Sequence, residues 1–64
     1  MQNAIKHLRT EMGISQEELA NRCGVTRQTV NAIENNKYDP TLLLAFKLAK
    51  ELGQSVDEIF EAEI

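Results

Sequence analysis

Apolar side chains recur along the chain at helical spacing, in short stretches cut by residues that stop helices. Ile5, Leu8 and Met12 stand three and four positions apart, which puts them on one side of a helix of about 3.6 residues per turn. Gly13 follows directly and suits the left-handed position just past a helix end, so the first helix is expected from about Asn3 to Met12. Leu19, Ala20 and Cys23 give the next segment a narrow apolar face, and Gly24 stops it. Ser15-Gln16-Glu17-Glu18 ahead of it has the form of a capping box, with Ser15 as N-cap and Glu18 reaching back. Thr26 is the N-cap expected for a third helix to about Asn35, anchored by Val30 and Ile33. After the turn Tyr38-Asp39-Pro40, Thr41 caps a fourth helix that runs to Leu52 and is apolar enough to bury most of its circumference. Ser55-Val56-Asp57-Glu58 is a second capping box and opens a fifth helix carrying Val56, Ile59 and Phe60. Strand alternation is confined to the last residues, Phe60 to Ile64, where apolar and acidic side chains alternate.

These elements predict an all-α chain, a compact five-helix bundle, with a strand pairing between Phe60–Ile64 and Met1–Asn3 as the one β feature. The 64 residues allow one domain. A chain this short buries only about 60% of its unfolded surface, so a partner subunit is one expected source of stability. Cys23 is the sole cysteine and His7 the sole histidine; one of each cannot close a zinc site, and an intramolecular disulfide is excluded. Cys23 reads as a small buried apolar residue and His7 as a solvent-facing one. There is no long apolar run and no basic-plus-apolar leader, so a soluble, cytoplasmic protein without membrane contact is expected.

Charge changes the picture. The net charge of −3 argues against indiscriminate nucleic-acid binding. It is unevenly spread, though: residues 1–37 sum to +1 and residues 38–64 to −4. The N-terminal half is therefore free to face phosphate.

The centre of the chain is its most informative part. Two short helices, 16–23 and 27–35, are separated by Gly24-Val25-Thr26, in which Gly24 permits a sharp turn and Val25 can plug the angle between the helices. That layout is a helix-turn-helix, whose second helix enters the major groove of DNA. On a helical wheel Val30, Ile33 and Glu34 fall on one side of 27–35; Gln28, Asn31, Ala32 and Asn35 fall opposite, with Arg27 and Thr29 at the flanks. Amides pair bidentately with adenine, a threonine methyl can contact the thymine methyl, and Arg27 can take guanine or phosphate.

Three runs, Ile14-Ser15-Gln16-Glu17-Glu18-Leu19-Ala20, Gly24-Val25-Thr26-Arg27-Gln28-Thr29-Val30 and Ile33-Glu34-Asn35, resemble the phage-repressor-like, XRE-type helix-turn-helix family. The resemblance continues without a gap through Lys37-Tyr38-Asp39-Pro40-Thr41-Leu42, Ala45-Phe46-Lys47-Leu48-Ala49, Leu52-Gly53 and Asp57-Glu58-Ile59-Phe60. Within the family the chain most resembles short stand-alone dimeric regulators of the cytolysin-repressor type. The resemblance implies a lambda-repressor-like bundle and double-stranded DNA as partner. It implies base reading by Arg27, Gln28, Thr29, Asn31 and Ala32, and phosphate contact by Ser15 and Gln16 at the start of the second helix and by Asn35, Lys37 and Tyr38 after the third. It further implies that Arg9 and Glu34 pair to tie the first helix to the third. Read from its residues alone, Tyr38 is more readily a packing lid over the third and fourth helices than a phosphate contact. Three positions depart from the family pattern: Asn36 replaces a glycine, Leu43 a polar residue and Gln54 a small aliphatic.

One recognition helix reads few base pairs, so a homodimer is expected on a two-fold operator, with recognition helices about 34 Å apart. Leu52, Val56, Ile59, Phe60 and Ile64 are the expected interface, with the acids around them held away from the DNA. The chain is thus read as a sequence-specific regulator, more readily a repressor, with no cofactor, metal or small-molecule ligand. Glu17 and Glu18 point about 100° apart, and Ser15, Thr26 and Thr41 are caps with no base beside them, so no enzyme is expected. The competing reading is an antitoxin-like protein-interaction module that binds DNA secondarily, with Leu43 and the acidic C-terminal half as its supports.

Overall fold

The computed structural model describes residues 1–62. In chain order its elements are β1 (Gln2–Asn3), α1 (Ile5–Met12), α2 (Gln16–Cys23), α3 (Arg27–Glu34), α4 (Leu42–Leu52), α5 (Val56–Ile59) and β2 (Phe60–Glu61). The strands pair antiparallel, Gln2 opposite Glu61 and Asn3 opposite Phe60, and the Ala4 N–H extends the ribbon to the Ile59 carbonyl at 2.9 Å. Claiming Asn3 for a strand is what delays α1 to Ile5, two residues later than its apolar spacing indicates. Glu63 and Ile64, the rest of the expected terminal strand, lie outside the described residues.

Helix starts follow the side-chain chemistry. The hydroxyls of Ser15, Thr26, Thr41 and Ser55 each accept the backbone N–H three residues on, a cap worth about 1 kcal/mol. Only α5 closes its box from both sides: the Ser55 N–H donates to Glu58 Oε1 at 2.8 Å and the Glu58 N–H to Ser55 Oγ at 3.2 Å. At α2 the expected return contact is missing. The Glu18 carboxylate instead accepts from Arg22 Nε at 3.0 Å, one turn on. That guanidinium also lies 3.9 Å from Glu51 of α4. A charge-assisted bond to a fixed guanidinium wins over a neutral backbone N–H.

Each helix gives one face to the core. Ile5 of α1, Leu19 of α2, Val30 and Ile33 of α3 and Leu48 of α4 are at most 1% exposed, and Ile59 of α5 is 2% exposed. Removing a branched side chain of this size from water contributes about 1.5–3 kcal/mol. Cys23 joins this core as the sequence indicates. Burial, reinforced by the nearby Glu51 charge, pushes its thiol above the ordinary value.

Two expectations about the C-terminal half are corrected. α4 does not bury most of its circumference: α1, α2 and α5 all pack against it, yet Leu42, Leu43 and Phe46 remain 71%, 66% and 58% exposed. Conversely Leu52 and Ile59, expected at a subunit interface, are core residues of this one chain. They fill the space between α4 and α5, which leaves them nothing to offer a partner. Val56 and Phe60 are half-buried at the margin of the same core.

Candidate nucleic-acid interface

α3 is held from behind and open in front. Val30 and Ile33 are buried, whereas Arg27, Gln28 and Asn31 are exposed and Thr29 and Ala32 half-exposed. The turn that sets this orientation depends on Gly24, which has φ +71° and open space where a Cβ would stand. Its backbone conformation, not crowding, is what calls for glycine. Val25 packs against the core and plugs the corner between α2 and α3. Thr26 caps α3, and its Oγ1 lies 3.1 Å from Thr29 Oγ1, so the Thr29 hydroxyl is tethered and its methyl is the freer contact.

Behind α3 lies a polar lock that joins three helices. Arg9 of α1 donates Nε to Glu34 Oε2 at 2.9 Å and Nη2 to Glu34 Oε1 at 3.2 Å. Its Nη1 donates to the Ile14 carbonyl at 3.0 Å. The two side chains are 13% and 3% exposed. This is the pair anticipated from the family pattern, and its three donations place Arg9 in structural work. Gln16, at the start of α2, adds a bond that its sequence position does not announce: Nε2 donates to Glu34 Oε1 at 3.0 Å. Its Oε1 accepts from Asn31 Nδ2 at 3.5 Å. One of the two Gln16 amide protons is therefore used internally and the other is left for a ligand. Gln16 and Asn31 thus link the start of α2 to the exposed side of α3.

The loop after α3 continues the same surface. Asn36 stands at φ +60°, the left-handed position that the missing glycine would otherwise fill. The Asn36 N–H donates to the Ile33 carbonyl at 3.0 Å and the Lys37 N–H to the Ala32 carbonyl at 2.9 Å, the paired bonds of a Schellman ending. Asn35 turns its amide back to the Asn31 carbonyl at 2.9 Å, which occupies one proton of an expected phosphate ligand. Lys37 is exposed and, among the described residues, its ammonium makes no ion pair. Ser15 is exposed, its hydroxyl engaged in capping. Tyr38 is 46% exposed and lines an open groove of about 290 Å³ with Thr29, Leu43 and Lys47, over Cys23. Among the described residues its hydroxyl makes no hydrogen bond.

Amides and one guanidinium are thus exposed on α3, with the Lys37 ammonium in the loop after it and Gln16 at the N-terminus of α2 behind it. This is a helix-turn-helix arrangement built to meet a polyanion with a readable edge. The helix-turn-helix family matches residues 5–59. The chain belongs to it, in the phage-repressor-like, XRE-type branch, a family of DNA-binding transcriptional regulators. It is 50% identical over 60 residues to an uncharacterised helix-turn-helix transcriptional regulator of Methanocaldococcus jannaschii, covering 94% of this chain and 91% of that one. To YgzD of Bacillus subtilis, another uncharacterised regulator of this type, it is 48% identical over 63 residues, covering 98% and 96%. Among solved structures it resembles the restriction-modification controller protein C.AhdI of Aeromonas hydrophila with a TM-score of 0.80 and 36% identity, over 88% of this chain and 85% of that one. No helix among the described residues is long and apolar enough to cross a membrane.

Proposed function

We propose that this chain is a sequence-specific repressor that acts in the cytoplasm as a homodimer on a two-fold DNA operator, its 64 residues forming one DNA-binding unit. The observation that carries the reading is the division of α3: Val30 and Ile33 buried at 0% and 1%, Gln28 and Asn31 exposed on the far side. Arg27, Gln28, Thr29, Asn31 and Ala32 read base edges in the major groove. Ser15, Gln16, Asn35, Lys37 and Tyr38 hold the phosphates on either side. Occupancy of an operator that overlaps a promoter is enough to repress, and needs no further surface.

The partner is a second copy, seated on a face displaced from the one the sequence indicates. Leu42 and Phe46 stand one turn apart on the outer side of α4. Beside them an apolar groove of about 260 Å³ is lined by Met1, Pro40, Leu42, Ala45, Val56 and Phe60. A projecting ring next to a groove of matching chemistry is self-complementary, as a two-fold contact requires. Asp57, Glu58 and Glu61 belong to α5 and β2, outside the helix-turn-helix, which lets a net-negative chain present its neutral amides and cations to DNA.

Selection of duplexes from a randomised pool, with sedimentation of the free protein, tests the reading. A two-fold consensus with half-sites about one helical turn apart is the expected result, together with a species twice the chain mass. Gln28→Ala is expected to weaken the selected site by about 1–3 kcal/mol and to relax preference at one base pair of each half. Recovery of no consensus, or an unchanged one with Gln28→Ala, would overturn the assignment of α3 as reader.

A further inference from the structure

The side chain of Asn3 uses both ends of its amide on different helices. Its Oδ1 accepts the Ile5 N–H at 3.1 Å, at the start of α1. Its Nδ2 donates to the Ile33 carbonyl at 2.8 Å and to Asn36 Oδ1 at 3.1 Å. Ile33 is in the last turn of α3, and its carbonyl also accepts the Asn36 N–H. Asn36 itself holds the left-handed position that turns the chain toward Lys37. A neighbouring bond strengthens the attachment: Asn36 Nδ2 donates to Gln2 Oε1 at 3.4 Å. Both anchoring residues, Gln2 and Asn3, are the whole of β1, and β1 is fixed by pairing with β2.

We propose that Asn3 is a positioning residue for DNA binding: it clamps the end of α3 and the 35–38 loop to the terminal ribbon, and so sets where Lys37 and Tyr38 meet the phosphates. The inference rests on the DNA-binding reading above. Its physical basis is that a left-handed asparagine carries a conformational cost that glycine does not. Here the Asn36 side chain is held at both ends, as acceptor from Asn3 and donor to Gln2, which makes the strained turn a single fixed geometry. A glycine at that position would relieve the backbone and release the loop. The ribbon, remote from the bases in sequence, thereby becomes part of the phosphate-facing surface. Preorganised phosphate contacts bind more tightly because the loop is not ordered at the moment of binding.

Asn3→Ser tests this without altering charge. A serine hydroxyl can still accept from the Ile5 N–H, but it does not reach Ile33 or Asn36. Gly53→Ala serves as the stability control, since Gly53 has φ +70° with open space around it and lies in neither the DNA-facing surface nor the apolar groove. On the duplex selected by the wild type, Asn3→Ser is expected to bind about tenfold more weakly, with log affinity less steep in log salt by about one phosphate contact, roughly 0.9. Its base preference should be unchanged. Gly53→Ala should stay within about twofold of the wild type in affinity, with the same slope, whatever its loss in melting temperature. An Asn3→Ser protein that binds with wild-type affinity and slope, or that selects different bases, would overturn the proposal. If the wild type selects no duplex at all, the DNA-binding reading falls by itself, and the clamp is judged by hydrogen exchange. The Asn36 and Lys37 amides should then exchange about tenfold faster in Asn3→Ser than in Gly53→Ala. Equal rates in the two variants would remove the clamp as well.

Discussion

Glu34 is the side chain on which most of the polar order behind α3 converges. Its two oxygens accept from Arg9 twice and from Gln16 once, and it is 3% exposed. A carboxylate so enclosed is stable only while its donors remain, and the Arg9 guanidinium is equally dependent on it. Glu34→Leu is therefore expected to destabilise the fold by about 3–5 kcal/mol, because it strands a largely buried cation. Adding Arg9→Met should restore most of that loss, since an apolar pair of similar volume needs no desolvated charge. Urea unfolding of the two single variants and the double variant measures the difference; equal stability of the Glu34→Leu single and the double would show that no charge was stranded. The Arg9–Glu34 pairing was legible in the sequence through family pattern. The Gln16 contribution was not, because an amide at a helix start serves a phosphate and a neighbouring carboxylate equally well, and only the packing of α2 on α3 decides between them.

At the scale of the element, what local chemistry governs was readable. Four hydroxyl caps and the turn at Gly24 depend on residues within a few positions of one another, so the chain order alone announces them. Where two partners compete, local rules lose their force. Ser15 and Ser55 precede the same box pattern, yet Glu58 returns to its cap while Glu18 is drawn to Arg22. The difference has a consequence in acid. Hydrogen bonds from Ser55, first its backbone N–H and then its side chain, hold the Glu58 carboxyl below the ordinary carboxylate value of 4.5. The carboxylate is thus favoured by folding. Its contribution to stability is complete above the unfolded value and is lost as pH falls through the lower folded one. Glu58→Gln, which keeps an acceptor for the Ser55 N–H without a titrating proton, is expected to lower the melting temperature slightly near neutrality, where the carboxylate contributes, and to converge on the wild type as pH falls below about 4.5, so that its decline in acid is flatter. Thermal unfolding from pH 7 to pH 2.5 measures this, and parallel curves for the two proteins would rule out the box as an acid-sensitive element.

Across the whole molecule the hardest feature to read was the outer side of α4. Leu42, Leu43 and Leu44 are consecutive, so they sweep through more than half of a helical turn and give no face by periodicity. Only Leu44 is buried, at 7% exposure. Of the residues expected at a subunit interface, Leu52 and Ile59 are buried inside the chain and Val56 and Phe60 stand at its margin, while the exposed apolar side chains are Leu42 and Phe46 of α4. In the proposed dimer this face links folding to association, because every subunit that docks withdraws a folded molecule from the unfolding equilibrium. The melting temperature of the wild type is therefore expected to rise with protein concentration. Phe46→Glu should abolish that rise and sediment as a single folded subunit, since a side chain 58% exposed leaves the core intact when replaced. With its recognition helices no longer joined, the variant should bind an isolated half-site about as well as the wild type does and lose the steep preference for two half-sites a helical turn apart. Retention of both the concentration dependence and the two-site preference by Phe46→Glu would place the subunit contact elsewhere and return the exposed face of α4 to solvent.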